Sequence, residues 1–191
     1  MLTLGAVRAV LLGSLFCMVG SAAARELDYS YADVGYRHTN GDPVDVDSGA
    51  VDASFGIGRW LALRGQFERG QVSNYPHDTP DLTQFSAGAR LHFNLTEGFD
   101  VFGDVQYFNL KINGNETTHT DLGFVDEAGI RFALAKSLEL NGSYKYVGGG
   151  ENKSYGTVGA VFDMTREFSL SARAEINSDI QRYFAGVRLN F

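Results

Sequence analysis

The sequence predicts an all-β fold: a transmembrane antiparallel up-and-down β-barrel of ten strands, with eight strands as the alternative. Three observations point there. Apolar and polar residues alternate with period two over most of the chain. Short and long connections alternate between the periodic segments, and aromatic residues gather at both segment ends with aliphatic residues between them. After the N-terminal segment no apolar run approaches the ~20 residues a spanning helix needs. A barrel strand needs only about ten residues, every second one apolar.

The first element is not part of the barrel. MLTLGAVRAVLLGSLFCMVGSAAA carries one positive charge, Arg8, then an apolar run and an A-x-A site at Ala22-Ala23-Ala24. That is the layout of a cleavable export signal, with cleavage expected between Ala24 and Arg25. Residues 1–24 are therefore read as signal and 25–191 as a single barrel domain. Removing 24 of 191 residues leaves 167 and takes away Cys17, the only cysteine, so no disulfide is expected. The remaining charge is 15 Lys+Arg minus 23 Asp+Glu, or −8, since Arg8 leaves with the signal. Nucleic acid is not an expected partner of so acidic a chain.

Ten strands follow, near residues 26–38, 49–58, 61–70, 82–94, 99–112, 122–134, 138–147, 154–163, 167–177 and 180–191. The first, within ELDYSYADVGYRH, changes parity: Leu27, Tyr29 and Tyr31 share one face and Ala32, Val34 and Tyr36 the other, which predicts a β-bulge. In the second, Val51, Ala53, Phe55 and Ile57 alternate with Asp52 and Ser54. The third sets Leu61, Leu63 and Phe67 against Arg64, Gln66 and Glu68. In the fourth, Phe85, Ala87, Ala89, Leu91 and Phe93 oppose Ser86, Arg90 and His92. The fifth sets Val101, Val105 and Tyr107 against Asp104 and Gln106, with a parity shift expected at Phe108, Leu110 and Ile112.

The sixth strand faces Phe124, Ala128, Ile130 and Phe132 away from Glu127 and Arg131, and leaves Asp126 on the apolar parity. The seventh opposes Leu138, Leu140, Tyr144 and Tyr146 to Glu139 and Lys145. The eighth has Val158, Ala160 and Phe162 against Thr157 and Gly159. The ninth sets Phe168, Leu170, Ala172 and Ala174 against Arg173 and Glu175. The tenth sets Tyr183, Ala185, Val187, Leu189 and Phe191 against Arg182 and Arg188. The connections GRW, NLTEG, AKS and DMTRE are tight, while HTNGDPVDVDS, GQVSNYPHDTPD, NGNETTHT and GGGENK are longer and polar.

A soluble β-sandwich also alternates, but it has no reason to sort its aromatics by height. Here Trp60, Phe93, Phe99, Phe132, Phe162 and Phe168 sit beside the tight turns. Tyr36, Phe67, Phe85, Tyr107, Phe124, Tyr144, Tyr146 and Tyr183 lie toward the long loops. Two rings around an aliphatic band match two membrane interfaces.

The ending G-V-R-L-N-F resembles the C-terminal signal read by the outer-membrane assembly machinery, carried here by Tyr183, Gly186, Val187, Leu189 and Phe191. With YSYADVGY, DEAGIRFAL and YGTVGAVF, the chain resembles small Gram-negative outer-membrane β-barrels of the OmpA/OmpX-like kind. It is most similar to the compact ten-stranded barrels of xanthomonads and relatives. The resemblance implies outer-membrane localisation, contact with outer-membrane lipid and lipopolysaccharide, assembly through the periplasm, and a monomer.

The inward parity carries Asp52, Arg64, Glu68, Arg90, Asp104, Glu127, Arg131, Glu139, Lys145, Arg173, Glu175 and Arg188. In a barrel of this width the lumen barely exceeds its side chains, so crossing ion pairs would fill it. The expected role is structural and surface-contacting, with a largely plugged interior. A narrow porin-like channel for ions or small solutes is the alternative, kept open by inward Gly and Ser. An outer-rim hydrolase is a distant third: His38, His77, His92 and His119 form no motif with the nearby acids, so no enzyme and no catalytic residue are expected. Asp42, Asp45 and Asp47 in the first loop lack the full calcium-loop pattern. No metal and no cofactor are expected.

Overall fold

The computed structural model describes residues 27–41, 45–73, 79–114, 118–150 and 152–191. Ala24, Arg25, Asp42 and His77 lie outside these. Ten strands form: β1 (Tyr31–Gly41), β2 (Asp45–Ile57), β3 (Leu61–Ser73), β4 (Asp81–Thr96), β5 (Phe99–Asn113), β6 (Thr118–Ala135), β7 (Leu138–Gly148), β8 (Lys153–Asp163), β9 (Phe168–Ile176) and β10 (Ile180–Asn190). Each pairs antiparallel with its sequence neighbours, and β1 pairs with β10 to close the barrel. Closure leaves no strand edge unpaired, the condition for crossing a bilayer with strands.

Period two holds because each strand has two different environments. The outward set is apolar and exposed, from Phe55, Leu63 and Val105 to Val158, Leu170 and Val187. The inward set is polar, charged and buried. Both predicted aromatic rings are present outward, with cross-strand partners: Phe67 faces Phe85, Tyr107 faces Phe124, and Phe99 meets Phe132 edge-on at 6.4 Å between ring centres. Two tight turns on one end depend on glycine, since Gly58 and Gly98 have φ of 73° and 76°. The β8–β9 turn is held by Thr165 Oγ1, which accepts from the Phe168 amide at 3.0 Å.

Two expectations need correction. There is no bulge in the first strand: β1 pairs without interruption from Tyr31 to Gly41 against β10. Tyr31, Asp33 and Arg37 are buried inside, with Val34 and Tyr36 outside, and Leu27 and Tyr29 continue the inward parity before the strand begins. Both faces looked apolar because the inner one carries tyrosines. Likewise Phe108, Leu110 and Ile112 do not change parity. They stay inward, where Leu110 and Ile112 pack on the buried Val46, Val72 and Leu82.

The strands at the long-loop end also run further than the periodicity suggested. β2 begins at Asp45 and β6 at Thr118, and β1 and β2 remain paired up to Asn40 and Asp45. Antiparallel hairpins keep zipping wherever the partner backbone is available. Asp126 points outward, opposite Val105 and Tyr146. Its outward neighbours Tyr146 and Phe124 belong to the outer aromatic ring, a depth where a carboxylate costs about 1 kcal/mol or less.

Candidate functional site: the lumen

All twelve charged residues assigned to the lumen from the sequence point inward, and the fold joins them into layers. Nearest the long-loop end, Arg37 donates from Nη1 to Glu68 at 2.5 Å and lies 3.4 Å from Asp52. Ser48 Oγ donates to the other Glu68 oxygen at 2.7 Å. Asp52 also receives the Arg173 guanidinium. Arg173 in turn lies 3.8 Å from Glu175, which pairs with Lys145 and stands 3.9 Å from Arg182. At mid-height Arg90 donates to Asp104 from Nη2 at 2.5 Å and from Nε at 3.1 Å, with Arg64 Nε 3.6 Å from the same carboxylate. Arg90 also lies 3.9 Å from Glu127, which accepts from Ser143. Arg188 grips Asp33 through Nε and Nη2, both at 2.8 Å. Toward the tight-turn end, Arg131 holds Glu139 through two bonds of 2.8 Å.

Period two puts these groups on one face, and the barrel curvature brings strands distant in sequence together. Charges this buried are tolerated only when paired and hydrogen-bonded, and bidentate arginine–carboxylate pairs supply both. At the centre, bounded by residues including Tyr31, Arg64, Arg131 and Arg188, the remaining cavity is ≈ 50 Å³. That is room for a few waters.

Several interior residues were not among the sequence candidates. Asp33 and Arg37 were hidden by the apparent parity change in the first strand. Aromatic rings were the larger omission. Arg188 stacks 3.7 Å above Tyr31, Arg90 3.8 Å above Phe102, and Arg131 4.4 Å above Tyr29. Such cation–aromatic stacking strengthens when desolvated. A signal for two interior rings, Phe102 and Phe108, was present in the inward glycines. Phe102 lies directly across from Gly129 and Phe108 across from Gly123. A Cβ on Gly129 would sit 2.7 Å from the Phe102 ring. These inward glycines are occupied by rings, not left as gaps.

The tight-turn end of the lumen is filled by the segment before β1. Leu27 and Tyr29 are buried, and Tyr29 stacks on His92 at 3.6 Å between ring centres. Arg131 covers the other side and donates from Nη1 to the Asp28 carbonyl at 2.9 Å. Ser30 ties the segment to both neighbours: its Oγ accepts from the Gly56 amide at 3.2 Å, and its carbonyl from the Phe191 amide at 3.2 Å.

The histidines go to different places. His38 Nδ1 is 2.8 Å from Asp47, which also accepts from Tyr36. His92 is stacked as described, and His119 lines the opposite mouth. None of the three sits beside a serine in a hydrogen-bonded triad among the described residues. Among the described residues no group of three or more His, Cys, Asp or Glu side chains is placed to hold a metal ion.

A closed antiparallel shell, apolar outside and ionic within, defines a transmembrane β-barrel protein. The family model for the outer membrane protein beta-barrel domain matches residues 9–187, and the chain belongs to that family. Among solved structures it is similar to the NanC porin, with 10% identity, 84% of this chain and 100% of that chain covered, and a TM-score of 0.54. It is also similar to the translocator domain of the autotransporter NalP from Neisseria meningitidis. There the identity is 12%, coverage is 98% and 97%, and the TM-score is 0.52. The attachment invasion locus protein Ail of Yersinia pestis matches with 11% identity, 86% and 100% coverage, and a TM-score of 0.43. For NanC and NalP, identities this low show the shared fold alone. No curated protein matches the sequence.

Proposed function

We propose that this outer-membrane barrel has a structural and surface-contact role, with a lumen closed by its own side chains. The observation that carries this is the ≈ 50 Å³ left at the centre of the ionic network. A hydrated ion needs a continuous path, and here each layer of charge is spanned by arginine, its carboxylate and a stacked ring. The apolar shell anchors the chain in lipid, and the polar loops of the opposite end meet lipopolysaccharide and the exterior. Catalysis plays no part in this reading.

Single-channel recording on the mature protein, inserted in a planar bilayer and checked by heat-dependent gel mobility, tests it. Inserted but silent barrels are expected. Reproducible conductance steps that change on Arg64→Gln would sink the closed-lumen reading and leave the narrow channel in its place. We further propose export with cleavage between Ala24 and Arg25, so the N-terminal sequence of membrane-extracted protein should start at Arg25. A start at Met1 would refute it.

A further inference from the structure

At the long-loop end the lumen widens into a cavity of ≈ 410 Å³, within the size range of small-ligand pockets. Its two sides differ in chemistry. On one side β5 presents Phe108, Leu110 and Ile112, successive inward residues climbing toward the exit. The opposite side carries Arg182 of β10, with Lys153 and Tyr155 of β8 beside it. In the closed order β5 and β10 stand five strands apart among ten, so they are diametrically opposed. One wall is therefore apolar and the facing wall cationic.

One cation on that wall, Arg182, is incompletely answered, whereas Arg37 is held by Glu68 and Asp52 and Lys145 by Glu175. Glu175 below is shared by Lys145, Arg173 and Arg182, three cations on one carboxylate. Arg182 is the outermost of these, 25% exposed, reaching Glu175 only at 3.9 Å. Its Nε has no hydrogen-bond partner among the described residues. The Asp121 carboxylate is turned to the rim, accepting from the Gly150 amide at 3.0 Å. Leu110 and Ile112 pack on the buried Val46, Val72 and Leu82 and, together with Phe108, present an apolar strip to the cavity. An occupant with a negative head and a hydrocarbon tail satisfies both walls at once.

We infer that this vestibule binds a free single-chain amphiphilic anion, its carboxylate against Arg182 and its alkyl chain along Phe108, Leu110 and Ile112. The site stands apart from the question of conduction, since it lies above the central ionic layers and is satisfied whether or not they pass ions.

The test is calorimetric titration of the mature barrel in phosphatidylcholine nanodiscs with decanoate, after subtraction of empty discs. Saturable binding at one site per barrel is expected, with decanol and acetate each at least about tenfold weaker. Arg182→Gln and, separately, Leu110→Asn should each weaken decanoate about tenfold, with the heat-dependent gel shift confirming an intact barrel. Uptake no greater than that of empty discs would overturn the inference, as would equal affinity for decanoate and decanol. Decanoate affinity unchanged in both variants would also overturn it. Displacement of decanoate by added lipopolysaccharide would assign the site to envelope lipid and overturn the free-amphiphile occupant.

Discussion

Asp52→Asn is expected to lower the unfolding free energy of the barrel by about 3–5 kcal/mol, the cost of leaving buried charge without its partner. Asp52 is 1% exposed and serves two guanidiniums, Arg37 at 3.4 Å and Arg173 more closely. An asparagine amide keeps the shape and removes the charge, so both arginines lose much of what holds them in a dry interior. Glu68 and Glu175 remain to them, which places the effect toward the lower end of that range. Urea unfolding in phospholipid vesicles, followed through the single tryptophan Trp60, measures it. The matched control is Asp47→Asn at the exposed rim, where the His38 pair is solvated and the expected change is far smaller. Equal effects at the two positions would show that the lumen is wet enough to screen its charges.

Arg131→Gln should have an effect of similar size, about 3 kcal/mol, with a second consequence that Asp52 cannot produce. Arg131 joins two things: the buried Glu139, gripped twice at 2.8 Å, and the segment before β1, held through the Asp28 carbonyl and the Tyr29 ring. Glutamine is too short to keep both. Residues 27–30 should therefore exchange amide hydrogens about tenfold faster, while the β4–β5 ladder keeps its protection. Mass-spectrometric exchange in nanodiscs separates the two. If residues 27–30 stay as protected as in the parent, the stacking of Tyr29 on His92 is enough to hold the segment without the arginine.

Much of this architecture was readable from residue order. In β4, Phe85, Ala87, Ala89, Leu91 and Phe93 fall on one side of a pleated backbone, and only a bilayer rewards that on every strand. The inner face was legible for charged residues, because period two assigns Arg90 or Glu127 to a side without knowing its partner. Partners were not legible. Arg188 and Asp33 are 155 residues apart in the chain and meet only through the β1–β10 closure. Inward aromatics were misread for a different reason. An alternation rule sorts residues as apolar or polar, and a ring stacked on a guanidinium belongs to both classes. Tyr29 and Tyr31 counted as apolar and so implied a change of parity, although each sits under an arginine. The amphipathic vestibule was hidden by the same rule, since Phe108, Leu110 and Ile112 were taken to leave the inner face.

The segment before β1 has a temporal meaning. Every surface that receives Leu27–Ser30 is made later in the chain: Gly56 at the end of β2, His92 on β4, Arg131 on β6 and the Phe191 amide beyond β10. A sheet short of β6 lacks the Arg131 face for Tyr29, and an unclosed one lacks the Phe191 amide for the Ser30 carbonyl. The residues that open the barrel thus have their full set of contacts only once it has closed. Their full protection therefore reports the closed barrel rather than any one of its strands.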